Sequence, residues 1–131
     1  MKQHKILVVD DDPDITETVQ FRLEKEGYQV ITAADGEDAL GQVRQGYPDL
    51  IVLDVMMPKE NGYRVSKMIK VYEQEGKISK KIPIILLTAR NLKGDPDREK
   101  MFMEFSQAND VIYKPFEMDD LVHRIRGLLQ N

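Results

Sequence analysis

The chain has no cysteine, which excludes disulfides, zinc–thiolate centres and cysteine nucleophiles. It has two histidines, His4 and His123, far apart in sequence, which argues against a histidine-rich metal site. No apolar stretch approaches the ~20 residues of a membrane span. The start, Met1-Lys2-Gln3-His4-Lys5, runs straight into a short apolar segment and lacks the longer one of a secretory signal. A cytoplasmic protein with no membrane contact is expected. The net charge of −4 and acidic pI near 5.2 argue against direct nucleic-acid binding by this domain. What is present suits a soluble fold. The 131 residues make one domain, 1–131, with 41% hydrophobic content for a single core and 32% charged residues for its surface.

Short apolar runs alternate with segments of helical period. The expected strands are Lys5–Val9, Tyr28–Ala33, Leu50–Leu53, Ile82–Leu87 and Val111–Tyr113. The first helix starts at Pro13, where a missing N–H costs little. Ile15, Val19 and Leu23 form its stripe, and Gly27 closes it. A turn at Asp35-Gly36 leads to a second helix, Glu37–Gln45, which stops near Gly46 and Pro48. The third follows Gly62, with Val65, Met68, Ile69 and Tyr72 on one face. Glu73–Lys81 is a polar connection whose Lys77, Lys80 and Lys81 read as a solvated basic loop. A loop at 91–97 leads to a fourth helix from Asp97 to about Ser106, whose Met101, Phe102, Met103 and Phe105 are expected to be mostly core, with one or two exposed on the output face. The last helix, Met118–Leu129, points Leu121, Val122, Ile125, Leu128 and Leu129 inward and leaves His123 on the surface or facing a partner. Continuous apolar strands are the signature of a parallel sheet covered on both faces, and right-handed crossovers place the helices. The fold class is α/β: a (βα)5 doubly wound, flavodoxin-like sheet of order 2-1-3-4-5.

Polar groups cluster where these strands end. Ile6-Leu7-Val8-Val9 runs into Asp10-Asp11-Asp12, Leu50-Ile51-Val52-Leu53 into Asp54, the fourth run into Thr88, and the fifth into Lys114-Pro115. Strand ends can be acidic merely because loops are solvated, but Asp54 directly continues a buried run. Ligands of open α/β sheets bind beyond the carboxyl ends of the strands, at the switch in strand order. Here that switch lies between the first and third strands. Carboxylates so close repel one another unless a cation joins them or a proton is retained. Mg²⁺, which takes a few carboxylates, a carbonyl and waters, is the economical cation. A carboxylate beside Mg²⁺ can attack a phosphoryl group and form an acyl phosphate. A lysine then neutralises the transferring oxygens, and a hydroxyl such as that of Thr88 bonds one of them. There is no evident general base and no G-x-x-x-x-G-K-S/T nucleotide loop. The site reads as a carrier of a phosphoryl group, not as a site of metabolite turnover.

These residues carry a resemblance. Ile6-Leu7-Val8-Val9-Asp10-Asp11-Asp12-Pro13, Leu53-Asp54-Val55-Met56-Met57-Pro58 with Gly62, Leu87-Thr88-Ala89-Arg90 and Lys114-Pro115-Phe116 together resemble the receiver domain of bacterial two-component response regulators. The resemblance implies that Asp54 is the phospho-acceptor. It implies that Asp11, Asp54 and the backbone carbonyl of Met56 bind Mg²⁺ directly, that Asp10 acts largely through water and that Asp12 is peripheral. Thr88 becomes the switch hydroxyl, Lys114 pairs with the phosphoryl group, and the Lys114–Pro115 bond is cis. Small Ala89 leaves the acceptor accessible, and Met56 and Arg90 stand where dephosphorylation is tuned. The implied partners are a sensor histidine kinase or phosphotransfer protein, an output domain or downstream protein, and a second copy in a homodimer. The implied output face is formed by the fourth helix, fifth strand and fifth helix.

Three features depart from the family pattern. The usual aromatic three positions before the lysine is Val111, and Tyr113 is expected to point to the opposite face of the strand. The Thr88–Lys114 interval is longer than usual, with the excess expected at 91–97, and Glu73–Lys81 is also extended; loops tolerate such changes. Val111 favours one alternative, a phosphorylation-independent interaction module on the same fold. A phosphatase of the haloacid-dehalogenase type also uses a strand-end aspartate with Mg²⁺. It carries a second aspartate two positions on, where this chain has Met56. Flavin binding lacks the Ser/Thr/Gly phosphate loop after the first strand. Met56-Met57 reads as packing and turn.

Overall fold

Five parallel strands form one sheet in the order β2-β1-β3-β4-β5. The computed structural model describes residues 3–46, 48–57, 60–89 and 95–130. In chain order the elements are β1 Lys5–Val9, α1 Pro13–Lys25, β2 Gln29–Ala33, α2 Gly36–Gly46, β3 Leu50–Asp54, α3 Gly62–Gln74, β4 Ile84–Ala89, α4 Pro96–Ser106, β5 Asp110–Lys114 and α5 Met118–Leu129. Pro58, Arg90 and most of the 91–97 loop lie outside the described residues.

The apolar runs form strands because they are covered on both sides. One face of the sheet places Leu7, Val9, Ile51, Leu53, Ile84 and Leu86 against Val43 of α2 and Val65 and Ile69 of α3. The other places Ile6, Val8, Leu50, Val52, Ile85, Leu87 and Ile112 against Val19 and Leu23 of α1 and Leu121, Val122 and Ile125 of α5. Each fully buried Leu or Ile stabilises the fold by about 1.5–3 kcal/mol. All five residues of β3 are buried, as its central place in the sheet requires.

The strand ends differ from the expected ones at β4. Ile82 and Pro83 precede the strand, and Thr88 and Ala89 belong to it. Proline has no N–H to give a ladder, so Pro83 contributes only its carbonyl, to Ile51 N–H at 3.0 Å. Ile82 N–H is instead taken by the Glu73 carboxylate at 2.7 Å. β5 is also longer than expected and includes Asp110 and Lys114.

The extended α3–β4 connection is tied down. Ile78 is buried in the core. Lys80 donates to Asp49 at 2.7 Å, and Lys77 lies 3.1 Å from Glu75. The basic residues here are therefore paired in part rather than simply solvated.

α4 meets its expectation in part, since one or two exposed residues were expected among its four bulky apolar ones. Met101 and Phe105 are exposed, Phe102 and Met103 are half-buried, and the buried residue is Ser106. The helix packs through the face carrying Glu99, Phe102, Met103 and Ser106, spaced by three to four residues. Half of that face is polar. Ser66 of α3 donates to the Ser106 carbonyl at 2.9 Å, and the Ser106 hydroxyl donates to Met103 O at 2.7 Å. The bulky apolar residues that suggested a core helix sit partly on its outer surface. His123 of α5 is exposed, as expected.

Candidate functional site

Parallel pairing brings the strand ends to one edge. Val9 is in register with Leu53, Asp54 with Leu87, and Ala89 with Lys114. The polar residues that follow or close these strands therefore meet at the β1–β3 switch point. Asp10, Asp11 and Asp54 can each place a carboxylate oxygen within 4.8 Å of the other two. Asp10 and Asp54 are buried, and Asp11 is exposed.

Lys114 reaches between the two buried acids. Its Nζ donates to Asp10 Oδ2 at 3.1 Å and to Asp54 Oδ1 at 3.1 Å. The Lys114–Pro115 peptide is cis, as the resemblance implied. Asp10 Oδ1 accepts the Asp12 N–H at 3.0 Å, and Asp54 Oδ1 accepts the Met56 N–H at 3.4 Å. Met56 itself projects into solvent. Asp12 stands apart from the cluster as the N-cap of α1, accepting Asp14 N–H.

The start of α3 presses on the end of β3. A side chain at Gly62 would place its Cβ 2.5 Å from the Asp54 carbonyl oxygen and 2.8 Å from Val55 Cα. Glycine alone allows that approach. Gly62 N–H donates to Val55 O at 2.9 Å, and Asn61 caps the helix by accepting Arg64 N–H.

The charges in this crevice are imperfectly balanced. Burial first, and then the charge of Asp10, raise the Asp54 carboxyl above the ordinary carboxylate range, with Lys114 opposing them. For Lys114 burial is the largest single influence and would lower its affinity for a proton. The combined attraction of Asp54 and Asp10 outweighs it and raises the ammonium above its usual value.

A carboxyl whose folded pKa is raised adds stability below its unfolded pKa and loses it as pH rises through the folded one. Without divalent cation, Asp54→Asn is therefore more stable than wild type at neutral pH. The gap between their urea midpoints closes as pH falls below the ordinary carboxylate range; a gap that widens on acidification contradicts this balance.

Thr88 sits on β4 opposite Tyr113 of β5 and is buried. Its hydroxyl lies near enough to the phenol of Tyr63, in the first turn of α3, to act on that group's proton affinity. Burial, followed by the charge of Glu99, raises the Tyr63 phenol above its ordinary range, so it stays protonated. Tyr113 corrects a further expectation. It lies on the same side of β5 as Val111, since residues two apart on a strand share a face. Val111 packs into the α2–α3 side of the core, and the Tyr113 hydroxyl donates to Glu99 of α4 at 2.5 Å.

The structure thus brings together Asp10, Asp11, Asp54 and Lys114, with Thr88 on the adjoining strand. Tyr63, Glu99 and the α4-facing direction of Tyr113 were not singled out in the sequence. The available signal for Tyr63 was its place directly after Gly62, the residue that must touch the Asp54 backbone.

No helix among the described residues is long and apolar enough to cross a membrane. A donor set of three carboxylates with no nitrogen or sulfur fits a hard cation such as Mg²⁺.

Residues 6–126 match the family model described as the response regulator receiver domain. The probable transcriptional regulator ycf27 of Cyanophora paradoxa is 44% identical over 99% of the chain and 50% of its own length. The chain thus spans about half the length of that relative. A putative response regulator from Chloroflexus aurantiacus superposes with a TM-score of 0.83 at 35% identity, covering 99% of this chain and 100% of the other. The response regulator TrrA of Thermotoga maritima, solved in complex with Mg²⁺ and BeF, does so with a TM-score of 0.80 at 34% identity, covering 97% and 100%. With the strand order, the acidic crevice and a family match over nearly its whole length, this chain belongs to the response-regulator receiver domains of two-component signalling.

Proposed function

We propose that this receiver accepts a phosphoryl group on Asp54 and uses it to switch the face built from α4, β5 and α5. The observation that carries the reading is the Lys114 ammonium set 3.1 Å from both Asp10 and Asp54, beside a third carboxylate on Asp11. One Asp54 oxygen attacks the phosphorus of the donor. The bond from phosphorus to the donor's leaving atom breaks, and the leaving group departs with its electron pair. Lys114 exchanges its contact with the Asp54 carboxylate for one with a phosphoryl oxygen. Thr88 donates its hydroxyl to another.

Asp11, Asp54 and the Met56 carbonyl would hold Mg²⁺, with Asp10 acting through water, and the ion would neutralise the oxygens in transfer. The binding of Mg²⁺ and BeF by TrrA supports this by likeness. The donor is a sensor histidine kinase or phosphotransfer protein, and the setting is the cytoplasm. The readout is an attached output domain, a downstream protein or a homodimer.

The site has the parts for capture and few for turnover. Met56 occupies the second position after Asp54, where a phosphatase of this chemistry needs an acid. Acetyl phosphate with Mg²⁺ is expected to label the chain with up to one phosphoryl group and to be stopped by a chelator. Steady release of product from phosphomonoesters at enzymatic rates contradicts the switch and favours a hydrolase.

A further inference from the structure

We propose that Lys70 is a modification site, whose amine takes an acyl group from an acyl phosphate bound in the cationic cleft of the extended α3–β4 connection. The site lies at the amino ends of the strands, away from the acidic crevice, and does not depend on the reading of Asp54.

The cleft holds about 440 Å³ and is lined by Lys70 and Glu73 of α3, by Ser79, Lys80 and Lys81 of the connection, and by Gln107 just after α4. Three of these side chains are cations. Lys80 is tied to Asp49 at 2.7 Å, while Lys81 is exposed and close enough for its charge to act on Lys70. A positive, polar hollow of this kind suits a small phosphate-bearing anion.

Lys70 is fixed at the wall of the cleft. Its Nζ donates to the Ile82 carbonyl at 2.7 Å and lies 3.5 Å from Glu73 Oε1. Both side chains are only 12% exposed. Burial lowers the Lys70 ammonium below the ordinary lysine range; Glu73 opposes this and the charge of Lys81 adds to it. A larger share of neutral amine is therefore present than on an exposed lysine. A held amine with a carboxylate beside it has the parts of a nucleophile and its base.

The amine lone pair attacks the carbonyl carbon of the acyl phosphate. The N–C bond forms, the C–O bond to phosphate breaks, and inorganic phosphate leaves with the electron pair. The proton lost from nitrogen passes to Glu73 and on to water. Lys81 and Lys80 draw the anionic reagent in and offset the charge of the departing phosphate. The product amide carries no charge, so Glu73, which also holds the Ile82 N–H at 2.7 Å, loses the cation beside it. Acylation thereby loosens the join between the connection and β4.

The test incubates the full chain at neutral pH with acetyl phosphate and a chelator, and follows acetylation of each lysine by peptide mass spectrometry. Lys70 is expected to react about tenfold faster than the exposed Lys25 and Lys100, less than an ideally placed base can contribute because the amine is half-buried. Lys81→Ala, a change at an exposed side chain, should remove much of that preference. Acetic anhydride, which has no phosphate for the cleft to hold, should show a smaller one in wild type. Lys70 left unmodified, or acetylated no faster than Lys25 and Lys100, overturns the site. A preference of the same size with both reagents and in Lys81→Ala overturns the recognition of acyl phosphate by the cleft.

Discussion

Asp54→Asn abolishes the thermal stabilisation that Mg²⁺ with beryllofluoride confers on the wild-type chain. Beryllofluoride mimics a phosphoryl group only where a carboxylate oxygen can complete its coordination, and an amide lacks the charge to do so. Binding to the native state alone adds about 2.7 kcal/mol at a ligand level roughly a hundredfold above the dissociation constant. For a chain of 131 residues that is a rise in Tm on the order of 10 °C. The expected pattern is this rise in wild type, none in Asp54→Asn, and none in either without Mg²⁺. The substitution leaves the fold intact, since the amide occupies the same volume and relieves the repulsion from Asp10. An equal rise in the variant places the ligand elsewhere.

Lys114→Ala has the second large effect, on stability rather than chemistry. It strips the Asp10 and Asp54 carboxylates of the cation 3.1 Å from each, and both acids are buried. Removing one partner of a buried ion pair leaves uncompensated charge and costs on the order of 3 kcal/mol. In a protein of ordinary stability this is a large share of the total. The cost falls at low pH, where the carboxyls are protonated, and saturating Mg²⁺ restores much of it by supplying charge to the same oxygens. Urea unfolding at neutral and acid pH, with and without Mg²⁺, measures all of this. A variant as stable as wild type in metal-free neutral buffer shows that the lysine does not hold the acids together.

The strand order and the acidic crevice were legible because both depend on pattern. Runs such as Leu50–Leu53 are apolar at every position, which only a strand covered on two faces requires, and each ends in the polar residue that parallel pairing carries to the shared edge. The misreadings came where one residue's local chemistry overrode the pattern. Pro83 sits inside an apolar run yet cannot donate to the ladder, so β4 starts beyond it and takes in Thr88. In α4 the large apolar residues supply only half of the packing face, Phe102 and Met103, and the polar Glu99 and Ser106 supply the rest. Tyr113 shares the face of Val111, as strand alternation requires, and not the opposite face expected from the sequence. Tyr63 is not marked by any local period because the ring it stacks on, Phe102, belongs to another element.

The central claim is that Asp54 accepts the phosphoryl group, and the most direct measurement locates that group chemically. The chain is incubated with acetyl phosphate and Mg²⁺, reduced with borohydride and digested for mass spectrometry. An aspartyl phosphate is reduced to the alcohol, so residue 54 is expected as homoserine and every other aspartate unchanged. Reduction at Asp10, Asp11 or Asp12 instead, or at no aspartate in a chain that has taken up phosphate, contradicts the account.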